Sequence, residues 1–141
     1  MGVATSASRR IEVLVAHPMG RAEDLARIAA VDPRLEVAYA PYIDESTRAY
    51  LDSFAGEPAA GASVPAPGDF ARLIGSAEVL FALALPPDLP ACAARLAWVQ
   101  LFGAGVDARA QELGARGVRV TTSSGINAAP IAEFCLLSML M

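Results

Sequence analysis

Five short apolar runs, separated by stretches of helical periodicity, constrain this chain more than any other feature. They are Ile11–Ala16, Leu35–Ala40, Glu78–Leu85, Trp98–Phe102 and Val118–Thr122. Near-continuous runs such as IEVLVA, rich in β-branched residues, suit strands of a parallel sheet buried on both faces. Between the first two, Arg21–Ala30 places Ala22, Leu25, Ile28 and Ala29 on one helical side. Further helices are expected over Glu45–Phe54 behind an Asp44 N-cap, over Phe70–Gly75 behind Asp69, and over Pro90–Leu96 as a short turn. Ala108–Arg116 reads as a helix closed by Gly117 at its C′ position. Strands alternating with helices imply βαβ crossovers, hence an α/β domain with a mainly parallel five-stranded sheet covered on both faces. Ala55–Gly68, dense in Ala, Pro and Gly, is expected to be an exposed mobile loop within that domain.

A chain of 141 residues suggests one domain. Its 55% hydrophobic content exceeds the usual ~45–50%, which hints at surface meant to be covered by something else. The net charge is −4 and lysine is absent, so a phosphate backbone would find no clustered cations and nucleic acid is excluded as a partner. Arg9 and Arg10 read as solvated, and residues 1–9 as a disordered start. Cys92 and Cys135 stand apart without a CxxC pair, the pattern of two buried reduced thiols in a cytoplasmic protein and not of a metal site or disulfide. No apolar run reaches the ~18 residues of a membrane span.

In a parallel sheet, ligands sit at the carboxyl ends of the strands. His17, Leu85-Pro86, Gly103–Gly105 and Ser123–Asn127 all fall there, and one crevice could gather them. Within Leu96–Asp107 a strand runs into a glycine turn that opens a helix. Gly103–Ala108 satisfies G-x-G-x-x-[GA], a dinucleotide fingerprint. Against that reading, Asp107 brings a carboxylate close to the pyrophosphate position, and Ser123-Ser124 stands where a ribose-holding acid would follow the next strand. A smaller anion, such as a substrate carboxylate, suits exposed amides at a helix start better, with Asp107 capping the helix from its own side chain. His17 reads as a turn or cleft-lining residue, and Trp98 as core.

The final stretch, 128–141, is apolar on nearly every side, with Glu133 and Ser138 its only clearly polar side chains. A helix hydrophobic all round is expected to be buried in something larger. Glu133 then reads as a partly buried acid at a domain junction.

Residues Ala94–Met141 resemble the D-isomer-specific 2-hydroxyacid dehydrogenases. The similarity rests on three pieces: Trp98-Val99-Gln100 leading to Gly103-Ala104-Gly105-Val106-Asp107, then Arg116–Thr121, then Pro130-Ile131-Ala132-Glu133. The resemblance implies that 1–127 form a substrate-binding domain with a flavodoxin-like doubly wound sheet. It implies that 128–141 begin an interdomain helix leading to a nucleotide-binding domain outside this sequence. It assigns the amides of Ala104 and Gly105 to a substrate carboxylate, Asn127 to the active crevice, and Pro130 and Ile131 to the nicotinamide side of NAD or NADP. The substrate would be a small D-2-hydroxy or 2-keto acid. The family's catalytic Arg, Glu and His have no counterpart here, so no catalytic residue is expected and the chain alone should be inactive. A homodimer through the C-terminal helix region is expected as well. The competing reading is a non-enzymatic flavodoxin-like module for a small anion or a partner.

Overall fold

The computed structural model describes residues 9–18, 20–43 and 67–141. The helix expected over Glu45–Phe54, its Asp44 cap, the loop over 55–66 and the start over 1–8 lie outside the described residues. The described elements are β1 (Ile11–Val15), α1 (Ala22–Ala29), β2 (Leu35–Tyr39), α2 (Pro67–Ile74), β3 (Val79–Ala82), α3 (Leu89–Cys92), β4 (Trp98–Leu101), α4 (Ala108–Ala115), β5 (Arg119–Thr121) and α5 (Ala128–Leu140).

The five strands form one all-parallel sheet in the order β2-β1-β3-β4-β5. This is the flavodoxin-like doubly wound order. The chain moves outward from β1 to β2, then returns past β1 to β3. Right-handed crossovers therefore put α1 on one face and α2, α3 and α4 on the other.

Register sorts the side chains. Ala38, Leu14, Leu80, Val99 and Val120 stand in one row across the sheet. They face the main core, where Leu14, Leu80 and Val99 meet Phe70 and Ile74 of α2, Leu89 of α3, and Ala110 and Leu113 of α4. The opposite row is Tyr39, Val15, Phe81, Gln100 and Thr121. On that face α1 lies against β2 with Leu25 and Ile28 half-buried, and none of its residues is fully buried. No described helix lies over the same face at β3, β4 and β5.

Several elements differ from expectation. Helix α2 begins at Pro67, so Pro67 and Gly68 belong to a helix and not to the loop, and Asp69 sits inside the first turn. A first turn has no N–H bonds for proline to forfeit. Strand β3 stops at Ala82, short of Leu85. Before it, Glu78 is buried and accepts from Arg95 Nη2 at 3.0 Å and from Arg9. Arg9 and Arg10 are thus paired, with Glu78 and Glu36, although their side chains remain exposed.

Trp98 is not core. It is 40% exposed, because it points to the face that no described helix covers at β4, and its Nε1 donates to Thr121 Oγ1 at 2.7 Å. Cys135 is exposed, and only Cys92 is partly buried. Cys135 and Glu133 both lie on α5, which has no buried residue at all, so Glu133 is exposed too. The helix expected to be buried projects from the domain.

Candidate functional site

The carboxyl end of β4 carries the turn Phe102–Asp107. A groove of about 300 Å³ opens beside it, lined by Leu83, Ala84, Leu85, Leu101, Gly105, Val106 and Asp107. Its walls are thus the β3–α3 loop and the β4–α4 turn. Ala104 and Gly105 are exposed, and among the described residues no acceptor takes a hydrogen bond from either amide. These two N–H groups are therefore open to an acceptor from outside the chain.

Glycine at 105 is not demanded by the backbone, since the positive-φ glycines are Gly117 (φ 85) and Gly125 (φ 86). A Cβ built on Gly105 meets nothing within 4 Å. What the missing side chain leaves free is the space in front of the turn. By contrast, Gly117 is needed for its conformation. It closes α4, its amide donating to Gly114 O at 3.0 Å while Val118 N donates to Leu113 O at 3.1 Å.

Asp107 behaves as its position implies. Its Oδ1 accepts from Ala110 N at 2.9 Å and caps α4. Its Oδ2 lies 3.6 Å from Arg109 Nη1. Arg109 was not anticipated as a site residue. The same Nη1 donates to Leu85 O at 3.2 Å, tying α4 to the opposite wall of the groove. The sequence did carry a signal: a cation in the first helical turn opposes the macrodipole, so its place there calls for another partner. Here the guanidinium offsets the Asp107 carboxylate, which would otherwise repel an anion from the turn.

The turn after β5 is attached to the same end. Ser123 N donates to Gly103 O at 3.1 Å, and Ser123 Oγ donates to Leu101 O at 3.2 Å. Asn127 begins α5 by accepting from Ile131 N through its carbonyl, but its side chain makes no cap bond and is exposed. Asn127, Pro130 and Ile131 do not line the groove. Of the sequence-derived site residues, the structure brings Gly105 to the groove with Ala104 adjoining it, and leaves the other three on the projecting helix.

His17 follows β1 and is 7% exposed. Its ring stacks on Phe81 of β3 (centroids 5.6 Å, 19° between planes) and lies 4.4 Å from Phe102. The ends of β1 and β3 are the topological switch point of this sheet, where such folds ordinarily receive ligands. Here three rings fill it, and the groove opens one strand further along, between β3 and β4. Burial lowers the His17 pKa below its ordinary value. The folded state therefore favours the neutral ring. Stability is complete above the ordinary histidine pKa and falls as pH drops through it, because the unfolded chain takes up the proton first. Asp32, held at about 2 chiefly by its hydrogen bond from the Arg34 side chain, stays charged over that window. Replacing His17 with Phe keeps the ring contacts and removes the titration. The wild-type urea midpoint should fall more than that of His17→Phe between about pH 7.5 and about pH 5.5. Equal falls would show that His17 contributes nothing to the slope.

No protein-family model, curated protein or solved structure matches the chain. Among the described residues no helix is long and apolar enough to cross a membrane, and no cluster of three or more His, Cys, Asp or Glu is placed to hold a metal.

Proposed function

We propose that this domain holds the carboxylate of a small 2-oxo or D-2-hydroxy acid on the amides of Ala104 and Gly105. On this reading it is the substrate-binding part of an NAD(P)-dependent oxidoreductase that interconverts the two. The observation that carries the proposal is the pair of unpartnered amides on an exposed turn, at the carboxyl end of β4 and the start of α4. A helix start favours an anion there, the carboxyl end of a strand is where such sheets take ligands, and the groove of about 300 Å³ suits a metabolite of a few heavy atoms. Arg109 offsets the nearby Asp107 charge, and the resemblance of Ala94–Met141 supplies the substrate class.

The described residues do not fit a dinucleotide. Asp107 lines the groove where a pyrophosphate would approach, β5 is followed by Thr122-Ser123-Ser124 and no acid, and Pro130 and Ile131 stand on the projecting α5. No hydride step is assigned to this chain. The only histidine is packed between Phe81 and Phe102, away from the groove lining, so it is not placed as an acid or base.

Calorimetric titration of the 141-residue chain with pyruvate and with its amide tests the reading. Two charge-assisted amide contacts predict a Kd on the order of 1 mM for the carboxylate. The amide, lacking the charge, should bind at least about tenfold more weakly. Equal binding of both overturns the proposal. Saturable binding of NAD that excludes pyruvate would do the same, in favour of a nucleotide site on Gly103–Ala108.

A further inference from the structure

The groove beside Ala104 and Gly105 has walls of one chemical character. Leu83, Ala84 and Leu85 come from the segment between β3 and α3, Leu101 from the end of β4, and Val106 from the turn before α4. All five side chains are aliphatic. Leu85 and Leu101 are buried, so the core holds them in place, while Leu83 and Ala84 are half-buried and Val106 is exposed. Asp107 is the one charged side chain of the lining, and its carboxylate is already engaged. Its Oδ1 accepts from Ala110 N at 2.9 Å, and its Oδ2 lies 3.6 Å from Arg109 Nη1. Among the described residues, no hydroxyl, amide or cationic side chain lines the groove.

We propose that this groove takes the aliphatic side chain of a 2-oxo or 2-hydroxy acid of about four to six carbons, and that it selects against acids carrying a hydroxyl or a second charge there. This rests on the carboxylate reading above and names the acid that the same site prefers.

Position supplies the first argument. Gly105 belongs to the lining, so a carboxylate on its amide leaves the rest of the acid between the Leu83–Leu85 wall and Val106. The volume of about 300 Å³ accommodates a branched chain of that length. Solvation supplies the second. A methylene moved from water onto aliphatic walls strengthens binding by up to about fourfold when fully buried, and by about twofold in an open groove. A hydroxyl in the same place gives up water and meets no side-chain partner among these residues. A second carboxylate loses its water too, has no amide pair to hold it, and faces Asp107.

Calorimetric titration of the 141-residue chain with a graded set of acids tests the proposal. The set is pyruvate, 2-oxobutanoate, 3-methyl-2-oxobutanoate, 4-methyl-2-oxopentanoate, hydroxypyruvate and oxaloacetate. Affinity should rise along the aliphatic series, with 4-methyl-2-oxopentanoate at least about tenfold tighter than pyruvate. Hydroxypyruvate and oxaloacetate should bind no more tightly than pyruvate. Val106→Asn, at an exposed position, should cut that tenfold ratio to about threefold. Circular dichroism checks its fold, and Leu83→Asn on the facing wall makes the same test if the first variant does not fold. A flat aliphatic series with pyruvate still bound overturns the side-chain pocket and leaves the carboxylate turn standing. Tightest binding by hydroxypyruvate or oxaloacetate overturns the pocket as well, as does an undiminished ratio in a folded variant. Failure of every acid to bind overturns both the pocket and the carboxylate reading beneath it.

Discussion

Gly105→Val abolishes measurable binding of a 2-oxo acid while leaving the thermal midpoint of the domain unchanged. The two halves of this result follow from one observation. A Cβ at Gly105 meets no protein atom within 4 Å, and the residue is not among those with positive φ. The fold therefore tolerates the larger side chain, and the expected change in stability is within about 0.5 kcal/mol. The space that valine would fill is the space in front of the Ala104 and Gly105 amides, beside the groove. A carboxylate must come within about 3 Å of those nitrogens to accept from them. Two added methyl groups prevent that approach, so affinity falls by at least tenfold, or about 1.4 kcal/mol. Calorimetry and a thermal melt on the same sample separate the outcomes. Unchanged binding removes the turn from the site, and a lowered midpoint would show that glycine is there for the fold.

The largest loss of stability is expected at Leu80→Ala. Leu80 is 0% exposed in β3, the middle strand of five, with Leu14 of β1 and Val99 of β4 as its register partners. It belongs to the cluster that joins the sheet to α2, α3 and α4. Strands held on both sides cannot shift to close a cavity, so both the transfer loss and the cavity are felt. About 3–4 kcal/mol is expected, which for a domain of this size lowers the thermal midpoint by about 10 °C. A chemical-denaturation series reads it directly. A loss under about 1 kcal/mol would mean that the core around Leu80 collapses to fill the gap.

The alternation of strands and helices was legible because each element rests on its own period. The parallel direction of the strands followed from the helical crossovers between them, and Asp107 and Gly117 could be assigned as cap and C′ residue because both act on backbone within four residues of themselves. The glycine turn at the end of β4 was legible for the same reason. Elements whose ends depend on distant partners were misjudged. The apolar run takes in Glu78, but in the structure Glu78 precedes β3 as a buried acid that accepts from Arg95, and from Arg9, 69 residues away. Helix α2 starts at Pro67 although Asp69 offered the obvious local cap.

The candidate site divides along the same line. The identity of the turn, its unfilled glycine and the helix start behind it are properties of consecutive residues, and these the chain determines by itself. Three things belong to the assembled sheet. The rings of His17 and Phe102 meet because β3 lies between β1 and β4, although 85 residues separate them in sequence. Arg109 reaches Leu85 because the β3–α3 loop and the start of α4 share one end of the sheet. Trp98 is left in the open because the described helices α2, α3 and α4 all fall on the opposite face. Hydrophobic pattern records that a residue seeks cover. Only the strand order, with the crossover direction it imposes, decides which side of the sheet receives a helix and which is left bare.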